Sequence, residues 1–121
     1  MNRFLALLLL IFFSHPAFAA GTAYFSALEE LPVAPGMTEE AQSAVRFDQP
    51  EGRIIVLQAL GRMGEPEISA FYGKTLPALG WKAMGGNRYA RGGEILSLEV
   101  RPLENAGRGA GNRLNILLRP Q

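Results

Sequence analysis

The chain contains no cysteine and only one histidine, His15. Without cysteine it can form no disulfide bond, and it offers no thiolate as a nucleophile or metal ligand. Residues 1–19 have the pattern of a secretory signal peptide, so His15 is expected to leave with that segment. The remaining chain would then lack both residue types. This excludes Ser–His–Asp and Cys–His nucleophilic systems, as well as zinc sites built from cysteine and histidine.

The signal-peptide pattern has three parts. Arg3 lies in a short basic region, residues 4–13 form an unbroken apolar run, and Ala17-Phe18-Ala19 has the small-x-small form that precedes cleavage. The apolar run is shorter than the roughly 20 residues that span a bilayer as a helix. We therefore expect cleavage after Ala19 and a periplasmic or secreted protein with no stable membrane span. An uncleaved N-terminal membrane anchor is the alternative.

Neither sign of charge is in excess once residues 1–19 are set aside. Losing Arg3 reduces the twelve basic residues to eleven, which equals the eleven acidic ones. Residues 20–81 are nevertheless acidic and residues 82–121 basic. Zero net charge and export argue against nucleic-acid binding. Two interpretations stay open. The halves pair with each other while Arg113 and Arg119 protect an apolar edge strand, or a basic sheet face meets an acidic partner or anionic lipid.

Residues 20–121 are long enough for one domain and too short for two. Residues 20–44 have no clear hydrophobic period, and Pro32 and Pro35 favour extended backbone before them. This stretch is too apolar for a free linker. We therefore predict an extended N-terminal segment at 20–44, the second half of which lies against an α+β domain at 45–121.

Two strands and a turn are predicted at the start of that domain. Gln49-Pro50-Glu51-Gly52 fits a β-turn with proline at its second position and glycine at its fourth. Residues 53–60 carry apolar side chains at both odd and even positions. This pattern is typical of a strand that is covered on both faces of its sheet.

One helix is predicted over residues 66–79. Pro66 suits its first turn, and apolar residues recur with helical spacing at Ile68, Phe71, Tyr72, Leu76 and Leu79. Pro77 removes a hydrogen bond from this pattern, so the helix is expected to kink or tighten there and to end at Gly80.

The last forty residues read as strands. A hairpin around the turn "GGN" is followed by a two-residue Gly92-Gly93 turn, the strand "EILSLEV", a glycine-rich loop and the strand "NRLNILL". The predicted fold is therefore α+β, with a single helix packed on one face of a mainly antiparallel sheet in the order ββαββββ.

Three stretches carry a resemblance to a known group of proteins. "FDQPEGRI", "FYGKTLPALGW" and "YARGGEILSLEV" together resemble small exported bacterial proteins of unknown function, over roughly Leu31 to Val100. The resemblance implies a hairpin, a helix that ends in L-P-x-L-G-W, further strands, and export. No activity is established for that group, so it assigns no functional residue here.

No catalytic, cofactor or metal site is predicted. Phe71, Tyr72 and Trp81 could form an aromatic platform for a sugar, but their positions favour core packing. The loop with Gly107, Gly109 and Gly111 lacks the lysine, Ser/Thr and helix that a phosphate-binding loop requires. The carboxylates form neither a convincing acid/base pair nor a calcium loop.

A contact surface is the one functional feature that the pattern supports. Ile95 and Leu117 lie on the otherwise polar faces of their strands, where Arg101, Arg113 and Arg119 would border them. An apolar patch with a polar rim is typical of a contact site. Either residues 28–37 fold back over this face, which we favour because it explains the opposite charges of the two halves, or another protein or a second copy docks there.

These observations favour an exported, non-enzymatic accessory or binding module of the cell envelope that acts through protein contacts. Its partner would be an envelope protein or another copy of itself. One alternative is a small hydrolase or ligand-processing protein that uses carboxylates alone. The other is an envelope protein tethered to the membrane by an uncleaved signal.

Overall fold

The computed structural model describes residues 22–103 and 111–121. In them a single α-helix lies on one face of an antiparallel sheet, which confirms the predicted α+β class. From residue 45 onward the order is ββαββββ, as predicted, and three short strands precede it. The strands are β1 (Tyr24–Phe25), β2 (Leu28–Pro32), β3 (Met37–Glu39), β4 (Val45–Gln49), β5 (Gly52–Gly61), β6 (Lys82–Gly85), β7 (Arg88–Arg91), β8 (Glu94–Pro102) and β9 (Asn112–Pro120), and the helix is α1 (Glu65–Ala78).

The main sheet has the order β3-β5-β9-β8-β7-β6, and β4 pairs with β5 beside β3. Strand β9 therefore lies at the centre, between β5 and β8. The prediction that Arg113 and Arg119 protect an edge strand is wrong, because both lie on this central strand. Its alternating apolar residues find matching partners on both sides, since Ile116 faces Leu57 on β5 and Leu98 on β8.

The predicted tight turns at Gln49–Gly52 and Gly92-Gly93 are present. Gln49 faces Gly52 across the two-residue turn between β4 and β5. Gly92 and Gly93 join β7 to β8 with φ angles of 54° and 80°. Positive φ at both central residues is what a type I′ turn requires, and glycine adopts it without steric cost.

The helix ends as its sequence indicates. Gly80 has φ 90°, its N–H donates to the carbonyl of Pro77 at 3.0 Å, and the N–H of Trp81 donates to the carbonyl of Leu76 at 3.0 Å. This is a Schellman motif, in which a left-handed glycine closes the last turn. The N–H of Leu79 reaches carbonyls three and four residues back, so the turn around Pro77 tightens as predicted.

The core lies between α1 and the sheet face that it covers. Tyr72 is fully buried and Trp81 is 3% exposed, which confirms that these aromatics are core residues. Even-numbered residues of β8 and β9 and odd-numbered residues of β5 point toward the helix. The sheet contributes Ile55, Leu57, Ala59, Leu96, Leu98, Leu114, Ile116 and Leu118, and the helix contributes Ile68, Tyr72 and Leu76.

The N-terminal segment packs on this same side of the sheet. One helix is about 10 Å wide, whereas six strands spaced about 4.8 Å apart span about 24 Å, so α1 alone cannot cover the face. The segment folds back as predicted, but beside the helix and not over the opposite face. The prediction of its location is therefore wrong. Its buried residues are Phe25, Leu28, Leu31, Pro32, Val33, Ala34 and Met37.

Candidate contact face

The sheet face that points away from α1 is called the open face below. Successive side chains of a strand point to opposite sides, so odd-numbered residues of β8 and β9 lie on this face. The structure brings all the predicted contact residues together on it: Ile95, Arg101, Arg113, Leu117 and Arg119.

Exposed apolar side chains run across the open face near β4. Phe47 is 55% exposed, Val45 is 38% exposed and Leu117 is 37% exposed. Phe47 faces Ile54 on β5, Val45 faces Val56, and Val56 in turn faces Leu117. We call this set the apolar strip. It contradicts the prediction that β5 is covered on both faces, because Ile54 and Val56 remain partly exposed in the described part of the chain.

Val45 and Phe47, the β4 members of this strip, were not predicted as contact residues. The signal was available, since Val45 and Phe47 alternate with Arg46 and Asp48 in the strand before the turn. Pairing through a two-residue turn places these apolar residues on the same face as Ile54 and Val56.

Ile95 lies on the open face but is only 4% exposed. It faces Arg119 on β9 and Ala90 on β7. A long arginine stem can cover an aliphatic neighbour while its guanidinium stays in water. Ile95 therefore packs beneath the surface, and Leu117 is the accessible apolar residue of the predicted pair.

The basic residues of the open face lie on β6 to β9, to one side of the apolar strip. Arg101 contacts Glu99 at 2.8 Å, and Arg113 lies 3.9 Å from Glu40. Within residues 22–103 and 111–121, no ion pair involves the remaining basic side chains of this face. These are Lys82, Arg88 and Arg119.

A polar groove crosses one end of the open face. Arg101 faces Arg113 across β8 and β9, and the amide of Gln58 donates a hydrogen bond to Asn115 Oδ1 at 2.8 Å. Like charges that face each other directly repel, and Glu99 and Glu40 offset that repulsion here. Gly107 and Gly109 of the glycine-rich loop lie outside the described residues, while Gly111 is buried. The groove is lined by Gln58, Glu99, Arg101, Pro102, Leu103, Arg113 and Asn115.

The charged groups on the helix side of the sheet are paired with each other. Arg53 makes two hydrogen bonds to Glu94, at 2.9 and 3.0 Å. These bonds hold the pKa of Glu94 below its ordinary value and raise that of Arg53. Arg91 pairs with Glu30 and lies 4.3 Å from the centre of the Trp81 ring. The cluster joins the N-terminal segment to β7 and β8.

This environment does not suit carboxylate catalysis. A general acid needs a pKa raised toward the working pH, whereas Arg53 lowers the pKa of Glu94. Among the described residues, no group of three or more His, Asp or Glu side chains could hold a metal ion. In the same part of the chain, no helix is both long and apolar enough to cross a membrane.

Comparisons with known protein families, curated proteins and solved structures find no match to this chain. The resemblance to small exported bacterial proteins stays a prediction from the sequence. The open face is therefore the feature of this molecule that points to a function.

Proposed function

We propose that this chain is an exported, non-enzymatic accessory or binding module of the cell envelope that binds a protein partner through its open face. The observation that carries the proposal is the exposure of Phe47 and Leu117 on a sheet face whose other accessible side chains are largely basic. Exposed apolar residues with a polar rim are typical of protein contact sites.

The chemistry of this face indicates what the partner must offer. Aromatic residues and arginine are enriched in protein interfaces. The apolar strip requires an apolar patch on the partner, and Arg119 and Arg88 favour carboxylates around that patch. Glu99 and Glu40 lie among the basic residues. Their presence favours a partner with charges of both signs over a uniformly anionic lipid surface.

Export is part of the proposal and has its own test. The pattern of residues 2–19 supports cleavage after Ala19. N-terminal sequencing of protein from the periplasm should begin at Ala20. A chain that keeps Met1 and sediments with membranes would instead favour the tethered alternative.

The partner can be identified with variants of the open face. Tagged parent protein, Leu117→Asp and Arg119→Glu are each used for affinity capture from the envelope fraction, with quantification by mass spectrometry. Lys74→Glu is the matched control, because Lys74 is exposed on α1 at the other side of the molecule.

We expect one envelope protein to be recovered with the parent and with Lys74→Glu, and to be lost with both open-face variants. Equal recovery with all four proteins would refute the open face as the contact site. Retention by vesicles of anionic lipid, with no protein recovered, would replace the protein partner by a membrane surface.

A further inference from the structure

Strand β4 is an exposed edge of the main sheet. It pairs only with β5 among the described residues, and all five of its residues are exposed. An edge strand presents unpaired N–H and C=O groups, which makes it a template for pairing with another strand.

The direction of these groups follows from the turn. Gln49 and Gly52 flank the two-residue turn, so they form a hydrogen-bonded pair, and such pairs alternate along an antiparallel ladder. Phe47 therefore directs its N–H and C=O toward β5. Arg46 and Asp48 direct theirs outward, where no described backbone group meets them.

The sequence of β4, V-R-F-D-Q, is complementary to itself when it is reversed around Phe47. In an antiparallel pair of two copies centred on this residue, Arg46 of each copy faces Asp48 of the other copy. The two outward-directed residues are thus also the residues that would exchange hydrogen bonds. On the other side of the strand, the two Phe47 rings lie next to each other.

We propose that two copies of this chain pair antiparallel through β4, with Phe47 on the two-fold axis. Four backbone hydrogen bonds would form, two between each Arg46 and the Asp48 opposite. Opposite charges and aromatic pairs that face each other across strands stabilise such a ladder. A two-fold interface uses the same surface on both copies, which is what a self-complementary strand provides.

The charges select this register over its neighbours. An axis at Arg46 or at Asp48 also lets the outward groups exchange hydrogen bonds. It would, however, place two arginines or two aspartates directly opposite each other, which is destabilising. Only the axis at Phe47 combines backbone pairing with opposite charges.

The pairing goes beyond the proposed function, because it uses the edge of the sheet, although Phe47 at that edge also belongs to the apolar strip. Five residues from each copy make a small interface, so the dimer should be weak and concentration-dependent. Since the axis is perpendicular to the sheet, both open faces would lie on the same side of one continuous sheet. The two apolar strips would then adjoin.

The absence of cysteine makes a direct test possible. In the proposed register, the Cα atoms at position 47 are about 4.5 Å apart, as in a pair without mutual hydrogen bonds, and this lies within disulfide range. Phe47→Cys in the otherwise native full chain should give a disulfide-linked dimer under mild oxidation. Val45→Cys is the control, because its two copies would be about 13 Å apart along the strands.

Two further experiments test the register of the pairing. A mixture of Val45→Cys and Gln49→Cys should cross-link, since these positions face each other. Arg46→Asp or Asp48→Arg should each raise the dissociation constant, by roughly tenfold in sedimentation equilibrium, because like charges then meet. The double variant should restore it, since the charges are exchanged as a pair. The single variants should melt like the parent at dilution, where all are monomeric.

Cross-linking of Phe47→Cys at a rate no greater than that of Val45→Cys would overturn the proposal. So would a parent chain that stays monomeric at the highest soluble concentration. Dimerisation that is insensitive to both charge reversals would place the interface elsewhere and would equally refute pairing through β4.

Discussion

The hydroxyl of Tyr72 donates a hydrogen bond to the carbonyl oxygen of Pro32 at 2.9 Å and accepts one from the N–H of Ala34 at 3.2 Å. Burial raises the pKa of Tyr72, so the hydroxyl keeps its proton and remains a donor. This pair of bonds ties the N-terminal segment to α1, although the partners are about forty residues apart in the chain.

Tyr72→Phe should lower the free energy of unfolding by about 1–3 kcal/mol, because it leaves buried backbone groups of Pro32 and Ala34 without a partner. Urea unfolding measures the change. Tyr24→Phe is the control, since Tyr24 is 55% exposed and its hydroxyl makes no hydrogen bond to a described residue. Equal stability of the two variants would show that the segment is not anchored through this hydroxyl.

Elements with local determinants could be predicted from the sequence. Gly80 fixes the end of α1, and the Gln49–Gly52 and Gly92-Gly93 turns fix two hairpins, because each depends on backbone preferences of a few adjacent residues. Strand β2 could not be predicted, since L-E-E-L-P has no strand pattern and becomes a strand by pairing with β1.

Features that depend on residues far apart in the chain could not be predicted, because local patterns do not show which segments pair. The position of β9 between β5 and β8 follows from pairing across the whole domain. Alternation alone placed Leu117 and Arg119 on one face correctly. It could not show that Ile95 is buried there, because burial depends on the covering side chains of neighbouring strands.

Glu94→Gln tests the ion pair with Arg53. Arg53 holds the pKa of Glu94 below its ordinary value of 4.5, so the stabilisation is present above that pH and is lost as pH falls through the folded-state pKa. At pH 7 the variant should be less stable by about 1 kcal/mol, since the pair is partly exposed. The difference from the parent should shrink below pH 4.5.

Denaturant unfolding between pH 7 and pH 3 measures this dependence, with Glu99→Gln as the control. Glu99 pairs with Arg101 at an exposed site, with 56% and 70% of the two side chains accessible, so its removal should change stability little. A constant difference between Glu94→Gln and the parent across this range would contradict the role assigned to the pair.

Gly111→Ala should destabilise the fold by about 1–3 kcal/mol or more, because a Cβ there would lie 1.8 Å from the carbonyl oxygen of Gly61. Gly73→Ala is the matched control. Its added Cβ meets no atom closer than 3.8 Å, and alanine in a helix is favoured over glycine, so this variant should gain about 0.5–1 kcal/mol. The melting temperatures of the two variants measure these changes. A Gly111→Ala protein as stable as the parent would be incompatible with the close approach of the chain at Gly111 to the chain at Gly61.

The most direct test of the open face as a contact site is photo-cross-linking in intact cells. A photoreactive amino acid replaces Leu117 in one strain and Lys74, on the exposed side of α1, in another. Binding through the open face should give a cross-linked product with an envelope protein from position 117 and none from position 74. A product from position 74 alone, or none from position 117 while the protein folds and accumulates normally, would contradict it.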